Sequence, residues 1–375
     1  MQLKSFTIVI LLSLFIFLLD AYADDSVKIK YQHYEDDKSI YYKDTDGVVS
    51  NRLLLSLKKF IRENTSISLD MDVDSVSSAS ARIDAVTSAS QKAGEEDRID
   101  GKAGITHTSG TSIYSAGVGM SRENNYNSDL VYASIGKEFN KRNTNVTFLI
   151  SETRDEIESV RIGDGRDFPK SKDTSTIGLS LSQTLTPRTV AAIGYEFSSV
   201  DGYQAHPENI VNLSDTSEYT NEVHPESRER NATVIRINQY LTWKAALHAD
   251  YRYYNDSWGV KSDTYGLKYY HYITEDLILR ARYRYYSQGK ADFYSASSES
   301  GTPYPTIDGK LRSFDSTLYG IKIIKDITGL VSGLGLAKVE NASFNLKYDR
   351  YGQSGGDDNY GINADIVQAG VDLGF

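Results

Sequence analysis

The segment His248-x-Asp250-x-Arg252 spaces an imidazole, a carboxylate and a guanidinium two residues apart. In an extended chain all three project from one face, because strand side chains alternate with period two. An aspartate that orients an imidazole is the start of a general base, so this cluster is the candidate centre of a hydrolase. A histidine hydrogen-bonded within a polar wall accounts for the same residues with no chemistry. His206 and His224 each precede a proline in a long polar stretch where a metal or ligand could be held, yet two histidines with no cysteine make a poor zinc signature. Asp36, Asp37, Asp44 and Asp46 offer oxygen ligands to a divalent cation. No Ser-His arrangement, phosphate-binding glycine loop or dinucleotide fingerprint is present, and Gly163-x-Gly165 has no helix after it. These residues argue against an enzyme, and they call for no cofactor and no resident metal.

A larger concentration of charge has a different meaning. Arg236, Arg252, Lys268, Arg280, Arg282 and Arg284 recur on segments whose alternate residues are apolar. Ala245, Leu247, Ala249, Tyr251 and Tyr253 oppose Ala246, His248, Asp250, Arg252 and Tyr254. Leu277, Leu279, Ala281, Tyr283 and Tyr285 oppose the three arginines at 280, 282 and 284, and Ile67, Leu69, Met71 and Val73 oppose Asp70, Asp72 and Asp74. Helical spacing puts none of these sets on one face, whereas period two does.

Segments of this kind, each long enough to cross a bilayer as a tilted strand, fill the chain. They predict strands over 26–34, 48–60, 64–77, 96–108, 111–122, 128–140, 143–154, 173–185, 188–199, 229–241, 244–256, 259–272, 276–288, 312–326, 339–351 and 359–375. Every second connection is a tight turn, while 35–47, 78–95, 155–172, 200–228 and 289–311 are long, which is the asymmetry of a transmembrane barrel. The expected fold is an all-β, up-and-down antiparallel transmembrane β-barrel of about sixteen strands, within a range of about fourteen to eighteen. The connection 327–338 is long for the short-turn side and could conceal another strand. Ile362, Ala364 and Ile366 run out of phase with Val367, Ala369, Val371, Leu373 and Phe375, which predicts a bulge near Asp365. Trp243 and Trp258 fall at turns, where interfacial anchors belong.

The ends and the composition set the compartment. Lys4, an apolar run from Phe6 to Leu19 and the small residues of Ala21-Tyr22-Ala23 predict a signal peptide over 1–23, cleaved between Ala23 and Asp24. One barrel domain over 24–375 follows. The 28 Tyr and 28 Gly against 6 Pro, with negative mean hydropathy, suit strands that turn only alternate residues to lipid. A net charge of −10 argues against nucleic acid as a partner, since phosphate binding needs a basic face. The alternation through Val371 and Leu373 to Phe375 is similar to the signal read by the outer-membrane assembly machinery.

Several segments resemble one family. They are Pro225-Glu226-Ser227-Arg228, Tyr251-Arg252-Tyr253-Tyr254 with Asp256, Trp258-Gly259-Val260, Arg284-Tyr285-Tyr286-Ser287-Gln288 and Ala291-Asp292-Phe293-Tyr294. Tyr34-Glu35-Asp36-Asp37 and the run Asp84 to Ser90 look like its N-terminal signatures. The family is an uncharacterised one of bacterial outer-membrane β-barrel proteins that carry a domain of unknown function. The resemblance implies a fold and a compartment and supplies no catalytic residues.

Charge opposite a lipid-facing phase must point inward, because Lys or Arg at mid-depth on the lipid face costs about 2–4 kcal/mol. The basic residues then form one wall of the lumen, and Asp70, Asp72 and Asp74 face them partly across it. The expected function is a porin-like channel for small polar or charged solutes in the outer membrane of a Gram-negative bacterium, among lipid and lipopolysaccharide, as a monomer or a homo-oligomer. Alternatives are a non-conducting structural or adhesive barrel acting through its extracellular loops, and an outer-membrane hydrolase using His248.

Overall fold

A computed structural model describes residues 25–36, 49–78, 94–160, 167–207, 209–334, 339–355 and 361–375. The expected signal peptide with its Ala23–Asp24 boundary, the carboxylates of Asp37, Asp44 and Asp46, and the run Asp84 to Ser90 lie outside the described residues.

The strands are β1 (Ser26–Asp36), β2 (Val49–Arg62), β3 (Thr65–Ser78), β4 (Gly94–Ser109), β5 (Ser112–Arg122) and β6 (Tyr126–Phe139). Next come β7 (Thr144–Val160), β8 (Asp167–Thr186), β9 (Thr189–Gly202), β10 (Ile210–Asn212), β11 (Tyr219–Asn221) and β12 (Ser227–Leu241). The last are β13 (Ala245–Asp256), β14 (Lys261–Tyr272), β15 (Leu277–Gln288), β16 (Phe314–Asp326), β17 (Asn341–Ser354) and β18 (Ile362–Gly374). All but β10 and β11 form one closed antiparallel ring, in which β9 pairs with β12 and β1 closes on β18. Closure matters because it satisfies every ladder hydrogen bond in a medium without water and leaves no strand edge. The ring holds sixteen strands.

One phase of the ring carries Leu69, Val118, Val131, Leu179, Ile235 and Ile321, all large, apolar and exposed, as a lipid-facing surface must be. Aromatic hydroxyls on the same phase line its edge toward the long loops. Tyr251 donates to Asp263 at 2.6 Å, Tyr285 to Asp315 at 3.1 Å and Tyr348 to Asp365 at 2.5 Å. At the short-turn end Trp243 is 58% exposed and donates from its indole to Tyr269. Apolar flanks with polar tips suit the two interfaces of a bilayer. Val118→Arg should cost about 2–4 kcal/mol in a urea titration of the barrel in lipid vesicles, while Ser115→Arg on the other phase of the same strand should cost far less. Equal losses would refute the assignment of faces.

Four expectations change. β7 and β8 continue through most of the expected 155–172 loop, with Glu152, Arg154, Glu156 and Glu158 on the outward phase. Outward charge marks where the hairpin leaves the lipid and continues in water. The 327–338 connection hides no strand among its described residues and instead winds a short helix α1 (Thr328–Gly333), so the strand count stands. No bulge occurs at Asp365, because β18 keeps an unbroken register with both β17 and β1. Ala364 and Ile366 are inward, packed with Tyr34, Leu318 and Tyr351 in an apolar cluster on the lumen wall. Among the described residues the register shifts at Phe60/Arg62 and Thr184/Thr186. Finally, Trp258 is no interfacial anchor: it is 5% exposed inside a packed cluster described below.

Candidate functional site

The inward phase holds all the charged residues that the alternation singled out on β3 and on β12 to β15. Register pairs His248 with Lys268 and Lys268 with Arg282, and pairs Arg236 with Asp250 and Gly266 with Arg284. The pattern runs further around the ring. Lys322 on β16 and Lys347 on β17 lie inward between outward Ile321 and Ile323, and between outward Leu346 and Tyr348. The same alternation test would have found both. Together with Lys30 on β1 they extend the basic wall around the ring to the closing strand.

Glycines let these long side chains lie flat against the wall. The Asp250 carboxylate covers Gly266, and the Asp349 carboxylate covers Gly320, so that a side chain at either glycine would collide with a carboxylate. Across bare Gly320, Arg282 on β15 reaches Asp349 on β17 at 2.8 Å, and Lys347 reaches it at 3.1 Å. Asp349 is fully buried by these two cations. Arg252 and Arg284 lean over the rings of Tyr254 and Tyr286, with guanidinium-to-centroid distances of 5.2 and 5.6 Å.

The acidic wall is not bare. Arg52 on β2 bonds Asp72 with both Nε and Nη2, and Arg98 on β4 lies 3.5 Å from the same carboxylate. Ser50 donates to Asp74 at 2.6 Å, and Lys102 stands opposite Asp70 in the ladder. β3 and β15 are separated around the ring by β2, β1, β18, β17 and β16. The carboxylates thus face the basic wall partly across the lumen, but Asp72 is largely spent on its neighbours and Asp74 is buried, one oxygen bonded to Ser50 and the other without a partner. Only Asp70 stays exposed.

At the long-loop end, the connections 203–226 and 289–313 fold onto each other. Their hinge is Glu222, 2% exposed. Its Oε1 accepts from Thr306 Oγ1 at 2.5 Å and from the amides of Ile307 and Asp308 at 3.0 Å. Its Oε2 accepts from the His206 amide and from Asn209 Nδ2, both at 3.0 Å. His224 Nδ1 lies 3.1 Å from the Gln204 carbonyl, and Nε2 lies 3.6 Å from Glu222. Burial acts to raise the Glu222 carboxyl, but the hydrogen bond and charge of His224, with Thr306 and the His206 amide, outweigh it and hold the group at about 2. The β10–β11 hairpin adds a bond from the Ser214 amide to the Ser298 carbonyl at 2.8 Å.

The segments that carry the family resemblance meet here. Arg228 bonds Asp256 and lies 4.2 Å from the Trp258 ring centroid, while Trp258 packs edge-on to His224 and Phe293. The amide of Asp292 donates to the Trp258 carbonyl at 2.8 Å. Gln288, inward on β15, donates to the carbonyls of Lys310 and Arg312 at 2.6 and 2.7 Å and draws the loop end against the inner wall. No periodicity could have shown this, since the partners lie up to 86 residues apart.

The remaining candidates are placed as follows. His248 packs on Tyr270, ring centroids 4.8 Å apart, and makes no hydrogen bond to Asp250. Among the described residues no group of three His, Cys, Asp or Glu side chains is arranged to hold a metal ion. His206 and His224 instead serve the loop hinge, where burial holds His206 below its ordinary range. Phe375 is buried with Val27, Leu57, Val331 and Ala342, and Leu373 packs against this cluster. Val371 pairs with Phe344 and Ile29.

None of the curated proteins matches this sequence. Among solved structures, a bacterial polysaccharide outer membrane secretin aligns with a TM-score of 0.50 and 9% identity, over 95% of this chain and 100% of that one. A mutant of the ferric enterobactin receptor PfeA from Pseudomonas aeruginosa gives 0.47 and 12% over 89% of this chain and 54% of that one. The outer membrane protein opdK from the same organism gives 0.44 and 8% over 94% and 99%. The chain spans about half the length of the receptor, and the likeness to the secretin is one of fold alone. The sequence itself is more specific: with residues 82–366 matched, the chain belongs to the family described as protein of unknown function DUF3570.

Proposed function

We propose that this protein is an outer-membrane channel that passes small polar or charged solutes through its lumen. One observation carries the reading. Asp70, Glu196, Arg236 and Arg284 point into a closed ring and yet are exposed, so water reaches them inside the barrel. A hydrated, charge-lined bore through a bilayer is a conduction path. Its partners would be outer-membrane lipid and lipopolysaccharide around the apolar belt, the assembly machinery at the strand ending in Phe375, and further copies of itself in a homo-oligomer. No catalytic role is assigned: the His248 ring packs tilted against Tyr270 and carries no oriented carboxylate. A His248→Ala variant that lost a hydrolytic activity of the wild type would reverse this.

A second reading has its own support. The loops closed around Glu222 build a folded surface over the mouth, as a barrel acting through its extracellular face would need. Single-channel recording in a planar bilayer separates the two. Steady openings are expected, and Arg236→Glu should change unit conductance by about twofold, because an exposed lumen charge sets local ion concentration. A folded, heat-modifiable barrel that stays silent would leave the loop-surface reading.

A further inference from the structure

The charge inside the lumen is not balanced. Arg280, Lys322 and Lys347 occupy one ladder row across β15, β16 and β17, toward the short-turn end. Lys322 lies within electrostatic reach of Lys30, Arg280 and Lys347, with Asp372 as the one acid among these neighbours. Asp349, beside the row, is already shared between Arg282 and Lys347. Arg280 Nε and Nη2 are closed off from solvent and have no hydrogen-bond partner.

Adjacent like charges repel, and unpaired guanidinium donors out of contact with water cost free energy that this wall does not recover from its own residues. On the opposite wall Arg52 and Arg98 already occupy Asp72. The uncompensated charge at this row is therefore positive, although the whole chain carries −10. A guanidinium fork beside two ammonium groups matches an oxyanion in geometry and in sign.

We propose that the row Arg280–Lys322–Lys347 is an anion-binding step in the lumen, selecting small solutes that bear carboxylate, phosphate or sulfate groups. This rests on the channel reading and adds the class of solute to it. The row supplies the charge that such an oxyanion would meet from Arg280, Lys322 and Lys347 together.

The test uses the full chain, expressed with its own N-terminus, purified from outer membranes and recorded in planar bilayers under a potassium chloride gradient. The reversal potential should give a chloride-to-potassium permeability ratio of about three or more. Sodium sulfate at millimolar concentration should reduce the chloride current. The double variant Arg280→Gln, Lys322→Gln, checked for folding by heat-modifiable mobility, should weaken the sulfate effect about tenfold and bring the permeability ratio toward one. A conducting wild type that is cation-selective or indifferent to sulfate overturns the anion step and leaves the channel intact. A folded double variant that keeps the full sulfate effect overturns the assignment to this row. A silent wild-type barrel overturns the channel and the anion step together.

Discussion

Glu222→Ala should separate the two long loops while leaving the sixteen-strand ring folded. The carboxylate accepts from the Ile307, Asp308 and His206 amides, and it also holds Thr306 and Asn209. Each buried donor left unsatisfied costs about 1–3 kcal/mol, and water entering at the rim recovers part of it, so a net loss of docking free energy of about 3–5 kcal/mol is expected. Because every 1.4 kcal/mol is tenfold, amide exchange at Ile307 and Asp308 should accelerate by two orders of magnitude or more. Unchanged protection there would show that the loops are held by something else. The pH dependence follows from the depressed carboxyl. Its ordinary value is 4.5 and its folded value about 2, so its stabilisation is complete above about 4.5 and is lost as pH falls toward 2. Asp308 titrates in the opposite sense: burial and the charge of Glu222 push its carboxyl up, so mild acid first relieves that repulsion. Loop protection should therefore hold, or rise slightly, on going from neutral pH to about 4.5, and collapse only below it.

Asp349→Ala should be the most damaging single change inside the bore. It removes the carboxylate that Arg282 and Lys347 share, and it leaves two cations facing each other beside Arg280 and Lys322. Removing one partner of a buried ion pair costs about 3–5 kcal/mol, most of it from the charge left behind. The unfolding midpoint in urea should fall accordingly, or the barrel should fail to acquire heat-modifiable mobility. Combining Asp349→Leu with Arg282→Met removes the uncompensated guanidinium and should recover much of the loss. If Asp349→Ala proves neutral, the lumen is wet enough at that level for water to replace the carboxylate.

Both predictions concern contacts that no local pattern reveals. Asp349 and Arg282 are 67 residues apart, and the distance between them is set by bare Gly320 in the strand between. Arg228 and Asp256, which hold Trp258, lie in the segments that carry the family resemblance, yet position at a strand end alone points the tryptophan to a membrane interface. A tryptophan at a strand end serves a girdle or a folded loop equally well until the loop's path is known. Trp243, at a tight turn, stays 58% exposed, as an anchor would be.

What the sequence determined by itself was everything that depends on period two. Alternation requires strands, strand length requires a bilayer crossing, and charge opposite an apolar phase requires an enclosed bore, because lipid tolerates neither charge nor open strand edges. That logic by itself puts Asp70, His248, Asp250 and the basic wall on the inward phase. It failed at Ile366 because an apolar residue on the inward phase breaks no rule of solvation when Tyr34, Leu318 and Tyr351 cover it. Only the closed ring decided which strands become neighbours. It therefore alone decided which charges are neutralised, as Asp72 is by Arg52 and Arg98, and which are left without a partner, as at Arg280. Pairing energy depends on distances of a few ångströms across strands, and those distances are a property of the sheet and not of the chain.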